Sequence, residues 1–358
     1  MLYFLVGLVI VVAVAPFVPG WIELKRGKDS APLHIDMEYS KSPLFFGNNF
    51  DALLHNGLFA SAPAGEDAGG PAALEQKDYT VTISRPEKVS VFTAPTWTFA
   101  PFARLKNIIY ATGNLEVGEG ARFAKEVCAE GNINVDGRAR LRAVLSKSDI
   151  TLGPDVAVTR WLDARGQKLV AGPDCDLGRN AVSAGLLHLG KGCKFSNLFG
   201  SPIRTYDADP KEPLPAEGNI REDALVTTAM LLSIPAGAEV RNKIVASQDL
   251  KICSGATVYG DIKGHRNVEL EDNVTIHGTI VADHGIVIRS NCRISGNVFA
   301  QGDVCIGFGS TVGEEGHTKS VISRSAVNLE PGVAIHGHIA CERGMVAKDY
   351  DACGRIGG

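Results

Sequence analysis

From Ile252 onward an apolar or small residue recurs at every sixth position for sixty residues: Ile252, Val258, Gly264, Leu270, Ile276, Ala282, Ile288, Ile294, Ala300, Ile306, Val312. The roughly 3.6-residue period of a helix cannot produce this, nor can the two-residue period of an ordinary strand. A chain wound into a triangular β-solenoid does, with three short faces and about eighteen residues per coil. The pattern therefore predicts an all-β protein whose core includes Ile252, Val258, Leu270, Ile276, Ile288, Ile294, Val298, Ile306 and Val312.

The coil unit is an apolar residue followed by a small or apolar one four positions on and another apolar one six positions on. A first block reads Val117/Ala121/Phe123, Val135/Ala139/Leu141, Leu152/Val156/Val158, Ala171/Cys175/Leu177 and Leu189/Cys193/Phe195. A second reads Ile234/Ala238/Val240, Ile252/Ala256/Val258, Leu270/Val274/Ile276, Ile288/Cys292/Ile294, Ile306/Ser310/Val312 and Leu329/Val333/Ile335. Three residues after each start stands a residue that tolerates positive φ: Gly120, Asp155, Asp174, Gly192, Gly237, Gly255, Asn273, Asn291, Gly309, Gly332. A triangular coil must turn sharply at its corners, so one fixed phase carries this chemistry. Arg138 departs from it, with Gly137 beside it.

Outside the repeat, the chain divides by composition. Residues 204–223, with three prolines and many charges, form a solvated loop between the blocks, and GEEGHTKS leaves the coil as a smaller insertion. Residues 61–76 read as an Ala/Gly/Pro linker, and YTVTISRPEKVSVF as a hairpin or approach strand. The resulting division is an anchor (1–24), a non-repeat region (25–105), a first block (106–203), the loop, a second block (224–341) and a tail (342–358) that caps the last coil or stays disordered. The anchor is a transmembrane helix: residues from Leu2 to Ile22 carry no charge, Trp21 stands at the interfacial position, and Lys25, Arg26 and Lys28 follow at once. A cleaved signal peptide is the rival, but it would want a basic start, and Pro16 is unfavourable just after Ala13-Val14-Ala15. Positive charge on the C-terminal side places the body of the protein in the cytoplasm.

Composition changes little. A net charge of −4 gives no sign of nucleic acid, and forty glycines suit many tight turns. The eight cysteines contain no CxxC pair; Cys175, Cys193 and Cys292 fall on core positions, which points to a reducing compartment. Candidate chemistry is sparse. Hexad solenoids also serve as acyltransferases and carbonic anhydrases, which place histidines between coils, so His265, His277, His284, His317, His336 and His338 are the candidates. His336 and His338 share one side of a strand, yet no third ligand stands at a supporting spacing. Asp261, Asp272, Asp283 and Asp303 share no coil phase, and no phosphate-binding or nucleophile motif is present. The run RARLR (138–142) projects its arginines from one strand face, as a solvated face, a partner contact or a contact to membrane phosphates. No catalytic residue, metal or cofactor is expected.

Three segments, GATVYGDIKG, VTIHGTIVADHGIVI and CRISGNVFAQGDVCIG, repeat a small-x-Val-x-Gly-x-Ile turn followed by a Val-x-Ile strand. Over residues 234–338 the chain resembles the bactofilins, polymer-forming bacterial cytoskeletal β-helix proteins. The resemblance implies a right-handed coil and nucleotide-independent self-assembly by end-to-end stacking. The expected function is a self-associating scaffold, single-pass in the bacterial inner membrane, with itself, membrane lipid and unidentified client proteins as partners. Val333, Ile335 and Ile339, in the last regular coil, are the expected stacking contact. The alternatives are a hexapeptide-type acyltransferase-like enzyme and an exported envelope structural protein.

Overall fold

The computed structural model describes residues 43–59, 77–84, 87–206, 232–241 and 243–347. They form a right-handed β-solenoid of about 13 turns with a repeat of about 18 residues. Within each block, every short strand pairs in parallel with its equivalent one coil on. Ile252, for example, lies beside Leu270, then Ile288 and Ile306, while Val258 lies beside Ile276, then Ile294 and Val312. All eight of these side chains are at most 1% exposed. The interior is therefore a stack of branched aliphatic rungs, which suits a parallel sheet curled on itself.

Corner geometry follows the turn chemistry. Positive φ occurs at Gly120, Asp155, Asp174, Gly192, Gly237, Gly255, Asn273, Asn291, Gly309 and Gly332. Arg138 takes the same conformation, φ 61°, rather than passing it to Gly137. Its side chain pairs with Glu119 one coil earlier, and its amide donates to the Pro154 carbonyl one coil later. The ladder on both sides imposes the corner on a residue that would not choose it.

The solenoid begins earlier than the predicted 106. Trp97–Phe99 pairs with Leu115–Val117, Arg104–Leu105 with Arg122–Phe123, and Ile108–Ala111 with Glu126–Ala129. Phe99, Ala103 and Leu105 occupy the unit positions, and Phe102 takes the corner at φ 60°. The signal was in the sequence, masked by an aromatic at the corner. Before it, strands Lys77–Ser84 and Glu87–Ala94 form an antiparallel hairpin, whose second strand joins the solenoid beside Ile108–Ala111.

Helix α1, Phe45–Phe59, was not anticipated. It lies against the outside of the first block, where Phe50 and Leu54 pack on Val91, Ile108, Tyr110, Cys128, Ala143, Leu145 and Trp161. These solenoid residues point away from the main core, so an apolar strip on the sheet's outer surface is covered by the helix's apolar side. The dock is pinned by charge: Asp51 pairs with Lys147 and with Arg165 (3.0 Å), and Arg165 also donates to Asn48 Oδ1 (2.9 Å). Gly47 allows the close approach, because a Cβ there would run into the Asp163 carboxylate.

Three expectations about the chain ends change. The two blocks meet directly: strand Lys194–Thr205, ending the first, pairs antiparallel with Ala334–Val346, ending the second. The predicted stacking contact is thereby occupied within the chain. Ile335 lies beside Ile203 and Ile339 beside Leu198, and Val333 accepts from the Thr205 amide at 3.0 Å; all three are at most 1% exposed. The tail keeps coil geometry through Val346, whose amide donates to the Cys193 carbonyl. Residues 204–206 likewise belong to the joint. The anchor segment with Leu2, Trp21, Lys25, Arg26 and Lys28, the linker 61–76 and the loop residues 207–223 lie outside the described residues. Among those described, no helix is long and apolar enough to cross a membrane.

Candidate functional site

The joint is built by close backbone approach. Gly344 lies opposite Phe195, and any side chain there would collide with the Phe195 ring. Thr205 bridges both blocks, donating its hydroxyl to the Glu330 carbonyl (2.9 Å) and accepting the Val333 amide (2.8 Å). Cys341 Sγ donates to the Ser196 carbonyl at 3.2 Å. Two cut ends of a parallel ladder, joined C-terminal coil to C-terminal coil, thus satisfy each other's backbone and seal one apolar core. On one face the joint leaves a cavity of about 740 Å³ lined in part by Thr159, Arg179, Lys194, Phe195, Arg343 and Met345.

Joining C-terminal ends leaves both outer coils as N-terminal ends. In the second block the outer coil is Leu232–Ile234, Glu239–Val240 and Ile244–Ala246; among the described residues each strand pairs only with the next coil inward. Val240 is only partly buried, whereas Val258, Ile276, Ile294 and Val312 at the same position are buried. In the first block, Trp97, Phe99 and Leu105 are likewise partly buried, and the buried indole nitrogen of Trp97 has no hydrogen-bond partner.

Histidines do not converge. His265 pairs with Asp283 one coil away (2.9 Å) on the surface, and His277 stacks on Tyr259 with ring centroids 4.8 Å apart. Burial, with Arg204 nearby, lowers the pKa of His336, and burial alone lowers that of His338. Both are thereby biased to the neutral form, but among the described residues no group of three or more His, Cys, Asp or Glu side chains is placed to hold a metal ion. The cysteines at core positions are buried thiols; burial pushes Cys292 up to about 12. Cys305 is also buried.

The feature that sequence reasoning saw only in fragment is a column of cations. The 18-residue spacing places Arg104, Arg122 and Arg140 in direct register on successive strands, with Lys106, Ala124 and Arg142 two residues further along the chain in the same coils. With Thr159 they line a groove of about 370 Å³ that contains five cationic side chains and no carboxylate. Asp155 reaches Arg140 (3.2 Å) and Glu126 reaches Arg142 (3.2 Å) from outside it. Applying the coil period to charged residues as well as apolar ones would have joined RARLR to Arg104 and Arg122.

No protein-family model matches the chain, and no curated protein or solved structure is significantly similar to it.

Proposed function

We propose that this protein is a structural scaffold that self-associates through its outer coils and is held at the bacterial inner membrane by Leu2–Ile22, with its solenoid in the cytoplasm. The resemblance of residues 234–338 to bactofilins motivates the reading. The observation that carries it is the joint between the blocks, where two coil ends of this same sequence marry with matched backbone and buried Ile203, Leu198, Ile335 and Ile339. A second pair of ends, at Leu232–Ala246 and Trp97–Leu105, is left for contact between molecules, the first-block end being extended on one face by the hairpin of Lys77–Ser84 and Glu87–Ala94. Anchoring raises the local concentration of such ends on a surface.

The test is electron microscopy and sedimentation of the full chain in detergent without nucleotide. Wild type should form filaments or sheets, and Val240→Lys, which places a charge in the outer cross-section, should dissolve them without unfolding the inner coils. A wild-type protein that stays monomeric at high concentration would sink the scaffold reading. A reporter fused after Gly358 tests topology separately: activity outside the cytoplasm contradicts the proposed orientation.

A further inference from the structure

We propose that the groove over Ala124 is a binding site for a phosphoryl anion, formed by Arg104, Lys106, Arg122, Arg140 and Arg142. The argument begins with an unfavourable arrangement. Adjacent strands lie about 4.8 Å apart, so like charges directly opposite one another in a ladder repel. Here three arginines stand in register on three successive coils. Asp155 partly compensates Arg140 and Glu126 does the same for Arg142, neither of them lining the groove; Arg104, Lys106 and Arg122 are exposed and have no carboxylate partner among the described residues.

Elsewhere the same periodicity brings opposite charges together. In the second block Lys251 pairs with Glu271 (2.7 Å) and Arg289 with Glu269 (2.7 Å) on neighbouring coils. The solenoid therefore has a ready means of neutralising a charged column, and in this one it reaches only Arg140 and Arg142, through Asp155 and Glu126.

The shape agrees with the charge. Among the groove's lining residues Ala124, exposed between the coils of Lys106 and Arg142, has only a methyl group, and this makes the dent. An anion seated there faces Arg122 in the same coil, Lys106 and Arg104 one coil before, and Arg140 and Arg142 one coil after. Thr159 closes the far side, its hydroxyl directed to the Leu141 and Arg142 carbonyls at 3.5 and 3.4 Å. Guanidinium groups present paired donors that match the oxygens of phosphate, and several converging on one anion exceed what a single surface cation holds. A phosphoryl group reaches the site either on a soluble molecule or as the headgroup of an anionic lipid. The groove runs along the side of the stack from the outer coil of the first block, because Arg104 and Leu105 belong to both the groove and that end; binding is therefore measured at a concentration where sedimentation shows no assembly.

Inorganic pyrophosphate is the probe, titrated by calorimetry into the full chain in detergent at constant ionic strength. Binding is expected, and the double variant Arg104→Gln/Arg122→Gln should weaken it by roughly tenfold or more. With the repulsive column relieved, the variant should unfold at the same or a higher temperature than wild type in the absence of probe; structural arginines would give the opposite. The titration is then repeated with vesicles of phosphatidylcholine alone or with phosphatidylglycerol added. Weaker pyrophosphate binding only with phosphatidylglycerol identifies lipid headgroups as the source, and equal binding in both identifies a soluble phosphate compound. Absence of pyrophosphate binding, or binding unchanged in the double variant, overturns the proposal.

Discussion

At the scale of single residues, two kinds of position decide the coil: the inward aliphatic and the positive-φ corner. Ile294 is 1% exposed between Ile276 and Val312 on the neighbouring rungs. Ile294→Asp would place a carboxylate in a core only a few side chains wide, with no cation to meet it. The expected loss is about 3–5 kcal/mol, read from denaturant unfolding, and an unchanged midpoint would mean that the side chain points elsewhere. Corners have a smaller and more specific signature. Asn273→Val should destabilise by about 1–2 kcal/mol, because a β-branched residue resists φ of 61°. Arg138→Asn should be neutral or stabilising by up to about 1 kcal/mol, since the exposed ion pair to Glu119 offsets little of the strain. If both substitutions cost the same, corner conformation is not what selects these residues.

Helix α1 poses the question at the scale of an element. Its seat combines an apolar strip with buried charges that titrate in opposite senses. Burial raises the pKa of Asp163, and Arg165 and Lys147 only partly counter it. For Asp51 burial also acts upward, but Lys147, Arg165 and His55 outweigh it and hold the carboxyl below its ordinary value of 3.8. A carboxyl raised in the folded state costs stability as pH climbs from its unfolded pKa through the folded one. One that is lowered contributes stability above the unfolded pKa and loses it as pH falls through the folded one. Asp163→Asn should therefore strengthen the dock at neutral pH, whereas Asp51→Ala should loosen it by leaving Lys147 and Arg165 without their shared partner. Cys128, fully buried beneath the helix, reports the difference. Its alkylation rate should rise in Asp51→Ala and fall or stay level in Asp163→Asn; equal protection in both variants would show that charge does not hold α1.

For the whole molecule, the joint is the decisive feature. Stability in a solenoid is a sum of coil and neighbour terms, so a continuous stack unfolds as a unit only while every interface is sound. Ile335→Lys buries a charge where the blocks meet, at a side chain with 0% exposure. Calorimetry should then resolve two transitions in place of one, and the solution radius of gyration should increase as the blocks part. A single transition with unchanged radius would mean that the blocks are held together by something other than the pairing of Lys194–Thr205 with Ala334–Val346.

What the sequence determined by itself was the repeat. Apolar spacing and corner chemistry are both local and recur with the coil, so the positions Ile252 to Val312 and the turns from Gly120 to Gly332 could be read without coordinates. Even the hairpin at Lys77–Ala94 was legible from alternation. The first coil was obscured only because Phe102 stands at a corner and Phe99 on a rung. Tertiary structure alone decided three things. The antiparallel marriage of residues 194–205 with 334–346 depends on two surfaces far apart in the chain that carry no mutual periodic signal. It turns Val333, Ile335 and Ile339 from a free end into an interior. The docking of α1 rests on outward-facing Tyr110, Cys128 and Trp161, which a pattern of inward positions passes over. The cationic column arises because winding brings residues 104, 122 and 140 side by side, so charges that look scattered along the chain become neighbours across it.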